Sequence, residues 1–221
     1  MTSISRVELE PPPWLYARMA RGGLFRLVYR RFVADLAAAM PPGARVLDVG
    51  TGPGYLLKYL APRRPDLHLY GLDRAYGMLR RVRQRPARPE AGAPAPLLHW
   101  LVGDAAALPC PGGIFHHLIA TFSFHIWPHP AVGVREMLRV LKPGGRAWIY
   151  ELNLEARAPE LRRFAAEENL PYPLVYLGYK AVSWHHALKA GDFIPVFGQA
   201  GLARWDLRPA HHLFWRAELE G

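Results

Sequence analysis

The chain has 221 residues, 51% of them hydrophobic, which is enough to bury one substantial core and short for two catalytic domains. Its single cysteine, Cys110, excludes an intrachain disulfide and a multi-cysteine metal site, and no run is long and apolar enough for a signal peptide or a membrane span, so a cytoplasmic location is expected. The 28 Lys and Arg against 18 Asp and Glu give +10, but the charges are scattered; the one dense run, Arg80-Arg81-Val82-Arg83-Gln84-Arg85, suits a solvated helix face better than a nucleic-acid stripe.

After Pro11-Pro12-Pro13, the stretch Trp14 to Met40 places Leu24, Phe25, Leu27, Val28, Phe32, Val33 and Leu36 at helical spacing, with a break near Gly22-Gly23. Pro41-Pro42-Gly43 ends this helical cover. Ala44 to Tyr55 then joins an apolar run to a helix through closely spaced glycines. Val46, Leu47 and Val49 read as a strand buried on both faces, with Asp48 and Gly50 where it emerges. Gly50, Gly52 and Gly54 allow a tight turn and close approach of a ligand to the backbone, and the helix expected over Tyr55 to Leu60 points its first amides at the same place, as suits a negatively charged ligand group. The spacing is Gly-x-Gly-x-Gly; the dinucleotide fingerprint would need its third glycine at Tyr55.

Leu67 to Leu72 is the second expected strand. Asp73 closes it 23 residues beyond Gly50, near the place of an acid that binds ribose hydroxyls, although it also suits the N-cap of a helix over Ala75 to Val82. Arg85 to Pro96 reads as an exposed linker. Leu97 to Val102 is the third strand, followed by Val-Gly-Asp-Ala-Ala-Ala-Leu-Pro. Ile114 to Thr121 is the fourth, followed by Phe122-Ser123-Phe124-His125. A helix over Val132 to Leu141 and a strand over Arg146 to Leu152 complete the alternation. Leu154 to Glu168 suggests a polar-faced helix, Pro171 to His186 an aromatic insertion, Asp192 to Gln199 a helix stopped at Gly201, and Ala203 to Leu207 with His212 to Glu218 an antiparallel pair.

The motif Asp48-x-Gly50-Thr51-Gly52-x-Gly54, with Asp73, the Asp104 segment and the run Glu136 to Gly145, resembles the class I S-adenosylmethionine-dependent methyltransferases of the ubiquinone/menaquinone-biosynthesis type. The resemblance covers about Leu24 to Leu152. It implies a Rossmann-like, doubly wound α/β fold: a mostly parallel seven-stranded sheet with an antiparallel closing strand. The implied organisation is one domain over 1–221, with a helical cover (1–43), a cofactor-binding core (44–152), an aromatic insertion (153–190) and a sheet closure (191–221). It further implies S-adenosyl-L-methionine as cofactor. Asp48, Gly50, Thr51, Gly52 and Gly54 would serve the methionine and ribose portion, Asp73 the ribose, and Asp104 with the Ala105 amide the adenine. Family members place helices like Trp14 to Met40 over the cofactor, so Tyr16 and Tyr29 are possible lid residues. Where the family carries an aspartate after the phenylalanine opening the fourth strand, this chain has His116 after Phe115.

The acceptor expected is a small apolar or aromatic molecule between His125 and the insertion, where Tyr172, Tyr176, Tyr179 and Trp184 supply large faces with polar edges. His125, just past the fourth strand, is placed to act as a general base or to orient that acceptor. The paired histidines 116–117, 185–186 and 211–212 lack a carboxylate at ligand spacing, so no metal is assigned. Nucleic-acid substrates are disfavoured: Pro109-Cys110 precedes the fourth strand rather than following it, and no Asn/Asp-Pro-Pro-aromatic motif follows it. Competing readings are an RNA methyltransferase using the basic surface, an inactive cofactor-binding scaffold, and a nicotinamide-dependent oxidoreductase. Oligomeric state is not legible.

Overall fold

The computed structural model describes residues 23–83 and 97–221; the stretch expected to form the first helix, with Tyr16, and the linker 85–96 lie outside them. A helix α1 (Gly23–Ala39) precedes strand β1 (Arg45–Val49), the short helix α2 (Tyr55–Leu60), β2 (His68–Asp73), α3 (Tyr76–Arg83) and β3 (Leu97–Val102). After β4 (Phe115–Thr121) and a 3-10 turn (Phe124–Ile126) come α4 (Pro130–Val140) and β5 (Leu141–Asn153). The C-terminal part adds α5 (Ala158–Glu167), α6 (Tyr172–His186), β6 (Ala187–Leu188), α7 (Ala190–Ala200), β7 (Trp205–Ala210) and β8 (Phe214–Glu220).

The strand order is β3-β2-β1-β4-β5-β8-β7. β1 pairs parallel to both β2 and β4, so the chain reverses its direction of winding between β1 and β4, and a crevice opens there at the carboxyl ends of the strands. β8 runs antiparallel to β5 and β7 antiparallel to β8, which is the expected closure. The seven expected strands are joined by β6, two residues that pair parallel with Leu152 and Asn153 beyond the end of β4.

Alternating residues of the central strands feed two apolar layers. Val46, Trp148, Tyr150 and Leu152 face α1, α2, α5 and α6, where Phe32, Leu57, Phe164 and Val175 meet them. Leu47, Val49, Ala147 and Ile149 face α4 and α7, against Val134, Met137, Phe193 and Phe197. Helices on both faces explain why β1 reads as continuous apolar sequence rather than alternating. α1 is fastened by Phe32, stacked on Tyr150 at 4.1 Å between ring centres. Tyr29 is buried among Tyr55, Tyr59 and Phe122, so it packs α1 down and has no exposed lid face.

β5 starts earlier than expected. Leu141 pairs with Phe115 before the register shifts to His117 and Arg146, so the turn residues Pro143-Gly144 lie within an irregular strand instead of before a regular one.

Candidate active site

The glycine loop stands at the end of β1, and Gly50, Gly52 and Gly54 all take positive φ, at 75°, 53° and 68°. Two of them are further demanded by neighbours. A Cβ on Gly50 would stand 2.4 Å from Ser123 Cβ, and one on Gly54 would stand 2.6 Å from the Trp100 ring. The loop's amides are used internally: Gly50 and Thr51 donate to the Leu72 carbonyl at 2.8 and 2.9 Å, Gly54 to the Thr51 carbonyl at 2.9 Å, and Gly52 to Asp73 Oδ2 at 2.7 Å. The loop is thus locked to the end of β2, and it offers a ligand bare glycine backbone.

Asp73 closes β2 between the glycine loop and the turn that leads into α3. Its Oδ1 accepts from the Ala75 amide at 2.8 Å at the start of the α3 turn, while Oδ2 holds Gly52. Asp104, beyond β3, is exposed; its Oδ1 accepts from the Ala106 amide at 2.8 Å, and Ala105 packs against the cluster under α4.

Asp48 is the buried acid of the group, 2% exposed. Thr51 Oγ1 donates to its Oδ2 at 2.6 Å, whereas Oδ1 has no hydrogen-bond partner among the described residues. Burial, with a further contribution from the charge of Asp73, pushes the Asp48 carboxyl up to about 7 against the opposing Thr51 bond. A buried acceptor left unmatched in this way is costly, and a cationic donor in the crevice would satisfy it and favour its ionised form. The amino group of S-adenosylmethionine is such a donor, so the residues present fit that cofactor.

The other side of the crevice begins at Phe122, a non-glycine residue at φ 53° that turns the chain sharply after β4. The turn lets the buried Ser123 hydroxyl donate to the Val49 carbonyl at 2.9 Å, tying the two halves of the crevice together. It also brings His125 onto Glu151 of β5. The His125 amide donates to Glu151 Oε1 at 3.2 Å, and its ring Nδ1 lies 2.9 Å from Oε2. On the outer side, His125 Nε2 lies 2.9 Å from Nδ1 of His186, the last residue of α6. Glu151 is 0% exposed and the His125 side chain 7%.

The structure therefore brings Asp48, Gly50, Thr51, Gly52, Gly54 and Asp73 into one constellation, sets Asp104 and Ala105 at the end of the third strand, and sets His125 across the switch point. Sequence reasoning missed Glu151, Ser123, Trp100 and His186. A carboxylate inside the apolar run Trp148-Ile149-Tyr150-Glu151-Leu152 was the available signal for the first. The insertion containing His186 is a helix: Tyr179 is buried and donates to the Asn153 carbonyl at 2.7 Å, Tyr172 is half-buried, Tyr176 is exposed, and the side chain of Trp184 lies outside the described residues. Among the described residues no three His, Cys, Asp or Glu side chains gather to hold a metal ion, and no helix is long and apolar enough to cross a membrane.

Residues 46–145 match the model of a family described as a methyltransferase domain. The chain is 37% identical over 125 residues to the demethylmenaquinone methyltransferase of Thermus thermophilus, covering 57% of this chain and 54% of that one. It is 30% identical over 178 residues to the ubiquinone/menaquinone biosynthesis C-methyltransferase UbiE of Cereibacter sphaeroides, covering 80% and 60%. It thus spans between half and two thirds of the length of these relatives. A solved SAM-dependent methyltransferase from Aquifex aeolicus, 18% identical, superposes with a TM-score of 0.69 over 95% of this chain and 98% of that one, which shows a shared fold. The matched segment begins in β1, ends in the turn at Gly145, and holds Asp48, Asp73, Asp104 and the three loop glycines, while Glu151 lies beyond it. With that segment matched and the strand order in place, the chain is similar, in sequence and in fold, to the class I S-adenosylmethionine-dependent methyltransferases, among them those of ubiquinone and menaquinone biosynthesis.

Proposed function

We propose that the chain binds S-adenosylmethionine with Asp48, Gly50, Thr51, Gly52, Gly54, Asp73, Asp104 and Ala105, and methylates a small, apolar or aromatic acceptor held between His125 and α6. The observation that carries this reading is the buried, partnerless Oδ1 of Asp48 beside the glycine loop, across the switch point from His125. Bound there, the sulfonium supplies a methyl group whose leaving group is already activated, so an in-line displacement needs no covalent intermediate on the protein.

The residues then have separable tasks. Asp48 fixes the amino group and Asp73 the ribose, while the glycine backbone permits close approach. The Asp104 carboxylate and the Ala105 amide read the adenine edge. His125 orients the acceptor or takes its proton. The two relatives, a demethylmenaquinone methyltransferase and a ubiquinone/menaquinone biosynthesis C-methyltransferase, support a quinol-like aromatic ring as the acceptor class.

Thermal shift and titration calorimetry with S-adenosylhomocysteine test the cofactor site. Stabilisation is expected, and Asp73→Ala should weaken binding ~10–100-fold, since hydrogen bonds to a charged acceptor contribute about 1.5–3 kcal/mol. Stabilisation by a nicotinamide dinucleotide, with none by S-adenosylhomocysteine, would overturn the reading.

A further inference from the structure

We propose that a basic cleft at the amino-terminal end of the sheet, opposite the crevice, binds the phosphate group of a small molecule through His116, Lys142 and Arg146. It is a second site, independent of the methyl-transfer reading.

The irregular start of β5 builds the cleft. Between the pairs Phe115–Leu141 and His117–Arg146, the four residues Lys142 to Gly145 stand against His116 alone, so β5 bulges there. A Cβ on Gly145 would stand 2.9 Å from the Lys142 carbonyl oxygen and 3.1 Å from that of His116, so the bulge closes tightly on β4. With Ala39 and Pro41 at the end of α1, and with His117 and Arg146, it bounds an open cleft of about 390 Å³. That volume falls within the range of small-molecule sites, about 300–1,000 Å³. The length of β1, roughly 15 Å, separates it from the glycine loop.

The donors of this cleft lack an acceptor. The Arg45 amide donates to His116 Nδ1 at 2.9 Å, so the neutral ring carries its hydrogen on Nε2. That nitrogen lies 3.0 Å from Lys142 Nζ, an ammonium with donors only. Two donors therefore face each other, and an oxyanion accepting from both would replace a conflict with two hydrogen bonds. Arg146 makes no hydrogen bond or ion pair with any described residue, Glu220 opposite it on β8 included. His117, the register partner of Arg146, is 2% exposed, and its Nε2 is buried without a hydrogen-bond partner among the described residues.

Burial, followed by the charges of Lys142 and Arg45, holds the His116 imidazole below its ordinary value. Burial, followed by Arg146, pushes His117 down to about 4 against a weaker pull from Glu218. Both rings are neutral at pH 7, and the lining holds the cations Lys142 and Arg146 with no carboxylate to balance them. A carboxylate ligand would bring one charge and two oxygens to these donors, whereas a phosphate monoester brings about −1.5 to −2 and three acceptor oxygens. Ala39 and Pro41 leave an apolar wall for the organic remainder of the ligand.

Titration calorimetry of the full chain with inorganic pyrophosphate, against sodium chloride at matched ionic strength, tests the site. Saturable binding at one site per chain is expected. Lys142→Ala and Arg146→Gln should each weaken it ~10–100-fold, since each removes a hydrogen bond between charged groups. His116→Asp should abolish it by giving Lys142 a carboxylate partner, and all three variants should keep the circular dichroism spectrum of the unmodified chain. Long-range 1H–15N spectra of the unmodified chain should show the His116 hydrogen on Nε2 and move that signal as pyrophosphate is added. Heat that sodium chloride reproduces, affinity untouched in all three variants, or a His116 hydrogen on Nδ1 would overturn the site. Binding of an RNA oligonucleotide or of phosphatidic-acid vesicles with this dependence on Lys142 and Arg146, but none of pyrophosphate, would overturn the small-molecule ligand.

Discussion

Ser123 and Gly50 face each other across the switch point so closely that the Ser123 Cβ stands 2.4 Å from where a Gly50 side chain would begin. One hydroxyl, donating to the Val49 carbonyl, joins the strand that carries the glycine loop to the turn that carries His125. The spacing between the two halves of the crevice is therefore set by the absence of a single methyl group.

Gly50→Ala should be severely destabilising, because it places a side chain at φ 75° and drives it into Ser123. The left-handed backbone costs ~1–3 kcal/mol and overpacking a similar amount. Urea unfolding should show a loss of about 2–5 kcal/mol, and adding Ser123→Gly should recover only the part due to overlap. A loss below about 1 kcal/mol would mean that the crevice is looser than this geometry.

Asp48 makes the chain's stability depend on pH in a definite direction. Its folded value of about 7 lies above the ordinary carboxylate range, so the native state binds this proton more tightly than the unfolded chain does. The contribution is fully present below the unfolded value, about pH 4, and is lost as pH rises through the folded one, on the order of 4 kcal/mol in all. Asp48→Asn, which keeps an oxygen for Thr51, should flatten the pH–stability curve between pH 4 and 8 and weaken S-adenosylhomocysteine. Calorimetry in buffers of different ionisation enthalpy should show proton release when that ligand binds the unmodified chain near neutral pH. An unchanged curve in the variant would show that the carboxyl titrates normally.

Asp35 fastens α1 to the far side of the sheet by collecting three donors on one oxygen: the Tyr150 hydroxyl at 3.1 Å, His211 Nε2 at 2.9 Å and Arg216 NH1 at 3.2 Å. Removing the shared acceptor breaks all three bonds, whereas removing one donor leaves two. Asp35→Ala should therefore cost about 2–4 kcal/mol and Tyr150→Phe about 1 kcal/mol in denaturant unfolding. Equal losses would mean that the Tyr150 hydroxyl carries the whole of the Asp35 contribution and that His211 and Arg216 add nothing.

The glycine loop and the acids Asp73 and Asp104 were legible because each is a local device, a backbone turn or a strand-end acid, whose meaning depends on a few neighbours in the chain. Strand positions were legible for the same reason. Glu151 and His186 were not, because their role exists only between elements: Glu151 meets His125 across two adjacent strand ends, and His186 arrives from a helix 61 residues further along. Period-two patterning places a residue on a face of a strand but does not name what lies against that face. The irregular start of β5 escaped for a similar reason, since the Lys142-Pro143-Gly144-Gly145 turn reads as an end of pairing and only its contacts with β4 continue the strand.

β6 has a mechanical consequence. It follows His186 directly and pairs with Leu152 and Asn153, its Leu188 carbonyl accepts from the Leu154 amide and the Trp215 indole at 2.9 and 3.0 Å, and Tyr179 grips Asn153 from mid-helix. Helix α6 is thus held to the sheet at its C-terminal end through β6 and along its inner face by Tyr179 and Val175, while Leu174, Tyr176 and Leu177 form its exposed side. Backbone amides at Ser183 to Leu188 should exchange with solvent more slowly than those at Leu174 to Tyr176.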